Sequence, residues 1–166
     1  MFNRFIAIDF ETANQSRDSA CSVGIVLVEE MKIIKKVSFL IQPPDLYFCF
    51  THIHGITAED VRHEPTFPDV WQKMLPYFSE IDFAAAHNAS FDSSVLAACC
   101  DRYGIAMPEV EFRCTRNLAR EHLDLESNAL DAVSRHYRIK LNHHDALSDA
   151  TACAKIMMKF IKMEKE

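Results

Sequence analysis

"CSVGIVLVEEMKIIKKVSFLIQ", residues 21–42, decides how the chain is read. It holds two β-rich runs, 21–30 and 33–42, joined by a short step around Glu30, Met31 and Lys32. Val, Ile and Phe pack well on a pleated surface, and two such runs with so short a connection predict a β-hairpin. Upstream, the apolar run at 4–9 predicts a third, buried strand. Downstream the pattern changes. "DFAAAHN" (82–88) and "EFRCT" (111–115) read as short strands, followed by helical stretches at 90–104 and 116–123. Gly104 stops the first of these helices. Residues 128–139 and 145–163 predict two more helices. Between the hairpin and this second half, residues 42–61 read as a loop in which Thr57, with Asp60 three positions on, caps a short helix. Residues 67–79 carry helical spacing limited by Pro76, with Phe67, Trp71 and Met74 as core. Strands first, then strands alternating with helices, imply an α/β chain with a mixed sheet covered by helices.

Composition narrows the class. A chain of 166 residues suits one domain, 1–166, with its core at about 4–160. No window approaches the roughly 18 uninterrupted apolar residues of a membrane span, and no signal peptide is visible, so the chain is expected to be cytoplasmic. Six cysteines without a C-x-x-C pair read as reduced, mostly buried thiols rather than a zinc or disulfide framework. A net charge of −6 argues against a broad phosphate-neutralising surface. It remains compatible with a nucleic-acid partner held locally through metal ions, because acids clustered for cations also lower the net charge.

The acids carry the chemistry. In "FIAIDFETAN" (5–14), Asp9 and Glu11 lie two apart on an extended chain and so point to one face, where two carboxylates repel. Taken alone, such a pair is more simply a cap and a lysine partner. Two further acids change that reading. Asp92 follows the candidate strand at 82–88, and Asp149 lies in the first turns of an otherwise apolar helix. Acids reachable from one sheet edge suit hard divalent cations, and two such ions roughly 3.5–4 Å apart support phosphoryl chemistry. His144, five residues before Asp149, is the candidate general base if it precedes the helix and swings back across its N-terminus. An exposed loop histidine is the plainer alternative for it. Asp145 reads as a helix N-terminal acid and His143 as a bystander. Arg113, Arg116, Arg120, Lys35 and Lys36 are either phosphate contacts or solvated charge, and Lys155, Lys159 and Lys162 form a wet helix face.

Three motifs in order resemble the DEDDh branch of the DnaQ-like 3′–5′ exonucleases, the superfamily that includes the proofreading epsilon subunit of bacterial DNA polymerase III. They are Asp9-Phe10-Glu11-Thr12, His87-Asn88-Ala89-Ser90-Phe91-Asp92 and His144-Asp145-Ala146-Leu147-Ser148-Asp149. The accessory "HGIT" stands at 54–57, and "CTRNLAR" (114–120) matches the segment usual before the third motif. The resemblance implies a ribonuclease H-like fold, with three antiparallel strands and then parallel strands in a central sheet flanked by helices. It implies hydrolysis of single-stranded DNA 3′ ends, or RNA ends, to nucleoside 5′-monophosphates with two divalent cations, Mg²⁺ or Mn²⁺, and no organic cofactor. Asp9, Glu11, Asp92 and Asp149 would be the metal ligands and His144 the base, while Thr12, His54 and Ile56 would touch the terminal nucleotide. Asn88 would organise the turn before its helix. A polymerase or repair protein is compatible with the resemblance as partner, with a free-standing enzyme as the plainer expectation. The alternatives are an oligoribonuclease-like RNA-trimming enzyme and a non-catalytic nucleic-acid-binding module.

Overall fold

The hairpin forms where the sequence predicts it, between β2 (Ala20–Glu29) and β3 (Lys32–Leu40), with β1 (Arg4–Thr12) on its other side. Glu30 and Met31 make the turn with φ of 47° and 63°, the paired positive values of a two-residue type I′ connection. The computed structural model describes residues 4–165; residues 1–3 and 166, included in the expected domain, lie outside the described residues. β4 (Phe83–Ala86) and β5 (Phe112–Cys114) complete a five-stranded sheet in the order β3-β2-β1-β4-β5. The β1–β2 and β2–β3 pairs are antiparallel, whereas β1–β4 and β4–β5 are parallel. The sheet is therefore mixed, as expected.

Among the described residues, seven α-helices lie between and after these strands: α1 (Thr51–His54), α2 (Ala58–Val61), α3 (Phe67–Met74), α4 (Ala89–Arg102), α5 (Thr115–His122), α6 (Leu130–His136) and α7 (Ala146–Met163). Pro76 acts as anticipated: α3 ends at Met74 and a 3₁₀ turn over Leu75–Phe78 takes the proline. Thr57 closes a capping box, its hydroxyl accepting from the Asp60 N–H while the Asp60 carboxylate accepts from the Thr57 N–H. The expected loop at 42–61 differs in holding the one-turn helix α1, and β1 runs three residues beyond its expected end because Glu11 still pairs with Ser22 and Thr12 with Ala20.

Alternation along β1 sorts the core into two layers. Ile6, Ile8 and Phe10 join Val95, Leu96 and Cys99 of α4 and Phe67, Trp71 and Met74 of α3. Phe5 and Ala7 face the other way, against Ala150, Cys153, Ala154, Met157 and Ile161 of α7. The next odd positions are Asp9 and Glu11, which continue the α7 face beyond the apolar part of the strand. α7 comes closest at its N-terminus. Gly24, paired with Asp9, has no room for a Cβ, which would collide with the carbonyl of Ala146 and stand 2.6 Å from the Leu147 nitrogen. All six cysteines are free, and no helix among the described residues is long and apolar enough to cross a membrane.

Candidate active site

Because Asp9 and Glu11 lie on the α7 face and Gly24 lets α7 close down on β2, the first turn of α7 delivers Asp149 to the end of β1. Carboxylate oxygens of Asp9, Glu11 and Asp149 all lie within 4.8 Å of one another. Burial raises the pKa of each above the ordinary carboxylate value, and at Asp9 and Glu11 the neighbouring acids add to the rise. Glu11 reaches about 8. Asp9 Oδ2 and Asp149 Oδ1 are buried with no hydrogen-bond partner. An orphaned buried carboxylate oxygen is costly, and two of them in one cluster fit a divalent cation, whose hard oxygen preference the donor set matches.

Asp92 is not a member of that cluster. It belongs to α4, which packs on the opposite face of the sheet, and its Oδ1 accepts the Phe10 N–H at 2.9 Å. Only 1 % of it is exposed, and burial pushes its pKa up to about 8. Its charge nonetheless adds to the repulsion felt at Asp9 and Glu11. Asn88, in the left-handed region at φ 78°, turns the chain from β4 into α4, the structural part expected of it.

The third motif arrives as expected in its backbone and with one difference in its side chains. Asp145 is the N-cap of α7 and accepts from the Ser148 N–H at 2.8 Å. His144 precedes the helix with φ 66°, and its own N–H donates to Asp149 Oδ2 at 3.1 Å. His143 is no bystander, since its Nδ1 donates to the same oxygen at 3.1 Å and its ring stacks on that of His144. Burial and the neighbouring His143 lower the pKa of His144, which favours the neutral imidazole a base requires.

Two clefts flank the histidine pair. One is about 320 Å³ in volume and is lined by Phe39, His54, Ile56, His143, His144 and Leu147 among others. The other is about 380 Å³ and is lined by Asp9, Glu11, Phe91, Arg116, His144 and Asp149 among others. His54 is itself tied down. Its Nδ1 accepts from the Ile56 N–H, so its Nε2 carries the proton and donates to the Thr12 carbonyl at 3.0 Å. His87 is likewise spent on structure: Nε2 donates to the Asn128 carbonyl and Nδ1 accepts from Thr115. Its burial depresses the imidazole to about 4.

A family model described as Exonuclease, of RNase T type, matches residues 6–157. The PolC-type DNA polymerase III of Caldanaerobacter subterraneus is 29 % identical over 167 residues, covering 98 % of this chain and 12 % of the relative. The epsilon subunit of DNA polymerase III of Buchnera aphidicola is 32 % identical over 111 residues, 63 % of this chain and 45 % of the relative. This chain thus spans only 12 % of the PolC-type relatives it matches. Among solved structures, exonuclease X in complex with 5′ overhanging duplex DNA superposes with a TM-score of 0.78 at 24 % identity, covering 98 % and 93 % of the two chains. The nuclease domain of 3′hExo, a DEDDh family member bound to rAMP, superposes with a TM-score of 0.82 at 15 % identity, covering 98 % and 93 %. The fold is the ribonuclease H-like fold of these exonucleases.

Proposed function

We propose, on the premise that this chain belongs to the exonuclease family whose model spans residues 6–157, that it is a metal-dependent 3′–5′ exonuclease releasing nucleoside 5′-monophosphates from single-stranded DNA ends. One observation carries the reading: the buried, unpartnered oxygens of Asp9 and Asp149 within the three-carboxylate cluster. Exonucleases of this kind use divalent cations. Here Asp9, Glu11 and Asp149 would hold one ion, and Asp9 with Asp92 would serve a second. When bound, the ions supply a nucleophile at neutral pH and offset charge on the attacking and departing oxygens.

The remaining steps belong to side chains of this chain. His144, uncharged near neutrality, accepts the proton of the attacking water, and the His143–Asp149 contact holds the adjoining turn in place. Thr12, His54 and Ile56 position the terminal nucleotide, His54 and Ile56 from the lining of the first cleft and Thr12 from beside His54. Residues 1–166, with a core at about 4–160, act as one catalytic unit, and a polymerase or repair protein is compatible with it as partner.

The test is to incubate the protein with matched short DNA and RNA oligonucleotides in Mg²⁺ or Mn²⁺ and resolve the products. Mononucleotide release from the 3′ end, abolished by EDTA, is the expected outcome. Faster trimming of RNA would reassign the substrate to the oligoribonuclease-like alternative. Absence of any product with either metal would favour a binding module.

A further inference from the structure

Five cations are candidates for phosphate contact on sequence grounds, and the fold disposes of four. Arg113 pairs with Glu111 at 3.0 Å and lies over the Phe83 ring. Arg120 is exposed and hydrogen-bonds Asn117. Lys35 and Lys36 lie exposed on β3 at the sheet edge, with the Lys35 ammonium near the Tyr77 ring. Arg116 differs. It lines the cleft that contains Asp9, Glu11 and Asp149, together with Asn88 and Phe91. Its Nε is buried without a hydrogen-bond partner, and no ion pair engages it among the described residues.

A buried guanidinium Nε without a hydrogen-bond partner is costly, and an anion entering the cleft would supply one to Arg116. Its place in the first turn of α5 adds to that cost, because helix N-termini favour negative rather than positive charge and α5 carries no acid there. Neighbouring groups cannot relieve it: the His87 ring is neutral and committed to Thr115 and Asn128. Arg116 thus shares the cleft with the carboxylates, yet its guanidinium is within 4.0 Å of no carboxylate oxygen among the described residues.

We infer that Arg116 forms a second phosphate subsite, which holds a backbone phosphate of the substrate strand other than the one being hydrolysed. The inference rests on the exonuclease reading and deepens it. A planar guanidinium fork suits a phosphate better than a point charge does. The subsite also gives an acidic protein a local grip on a polyanion independent of the metal ligands.

The experiment compares wild type, Arg116→Gln and Arg116→Lys on two substrates in Mg²⁺. One is a short single-stranded oligodeoxynucleotide. The other is the 4-nitrophenyl ester of thymidine 5′-monophosphate, which carries a scissile phosphate bond and no further strand phosphate. In Arg116→Gln, loss of kcat/KM on the oligonucleotide should exceed any loss on the ester by about tenfold and appear chiefly in KM, with partial recovery in Arg116→Lys. Anisotropy titration of the labelled oligonucleotide in Ca²⁺, which needs no turnover, should weaken by about tenfold and lose about 0.7 from its log–log salt slope. Equal losses on both substrates, or unchanged binding and salt slope, would overturn the subsite. A wild type that cuts neither substrate overturns the exonuclease reading instead, and the titration still decides whether Arg116 holds phosphate.

Discussion

At the scale of the residue, the protein is organised around carboxylates that do not want to be together. Asp9 sits where burial and the charges of Asp92, Asp149 and Glu11 all raise its pKa, so the acid serves the site at the expense of the fold. Asp9→Ala should abolish turnover yet retain the native circular dichroism, and in EDTA it should melt above wild type because a source of repulsion is gone. An unfolded Asp9→Ala would make the residue structural. The two histidines call for a paired test. His144→Ala should lower kcat by about 10²–10⁴, the usual worth of a general base, with metal affinity little changed. His143→Ala should cost less, since it removes a contact to Asp149 and leaves the proposed base. The opposite ranking would hand the proton transfer to His143.

At the scale of the element, the decisive contact is the N-terminus of α7 lying on β2. Asp149 meets Asp9 because nothing stands between the helix and the strand at Gly24. A methyl there must push back the Ala146 carbonyl and the Leu147 nitrogen, which are backbone and cannot turn aside. Gly24→Ala should therefore reduce activity by at least about tenfold and lower Tm, overpacking of this kind costing roughly 1–3 kcal/mol. Thermal melts and initial rates check it, and a fully active Gly24→Ala would show that α7 can shift without disturbing Asp149. The elements themselves were largely legible in the sequence: the hairpin, the Thr57 cap, the break at Pro76 and the long last helix are all local patterns. The short α1 was not, because its four residues at 51–54 carry no apolar periodicity.

At the scale of the molecule, titration links the site to stability. Glu11 and Asp92 hold their protons to about 8 in the folded protein, whereas in the unfolded chain they release them near 4.5 and 3.8. Between those limits the folded state binds more protons, so metal-free stability falls as pH rises. His87 works in the other direction. Its folded value of about 4 against 6.5 unfolded means that stability is lost as pH drops below 6.5. In EDTA, Tm should therefore climb as pH is lowered from 8 to about 6.5 and climb less steeply below that, where one imidazole opposes two carboxylates. Added Mg²⁺ should raise Tm more at pH 8 than at pH 6, because it binds the deprotonated acids and stabilises by mass action. Scanning calorimetry across this range decides the matter, and a metal-free Tm highest at pH 8 would contradict the buried, mutually repelling cluster.

By itself, the amino-acid order determined the strand and helix periods, the caps and the three motifs, since each depends on neighbours within a few positions along the chain. The motifs raise the expectation that Asp9, Glu11, Asp92 and Asp149 converge, but local spacing has no power to bring even the three that do so together. Tertiary structure decided that, through strand alternation that aims β1 at α7 and a glycine that lets the helix approach. The same is true where the arrangement departs from that expectation. His143 reaches Asp149 because the backbone reverses at His144, and Asp92 stays outside the cluster because α4 covers the other face of the sheet. Arg116 stands apart from the other basic side chains only because packing withheld a partner from it, and burial and pairing are properties of the folded molecule.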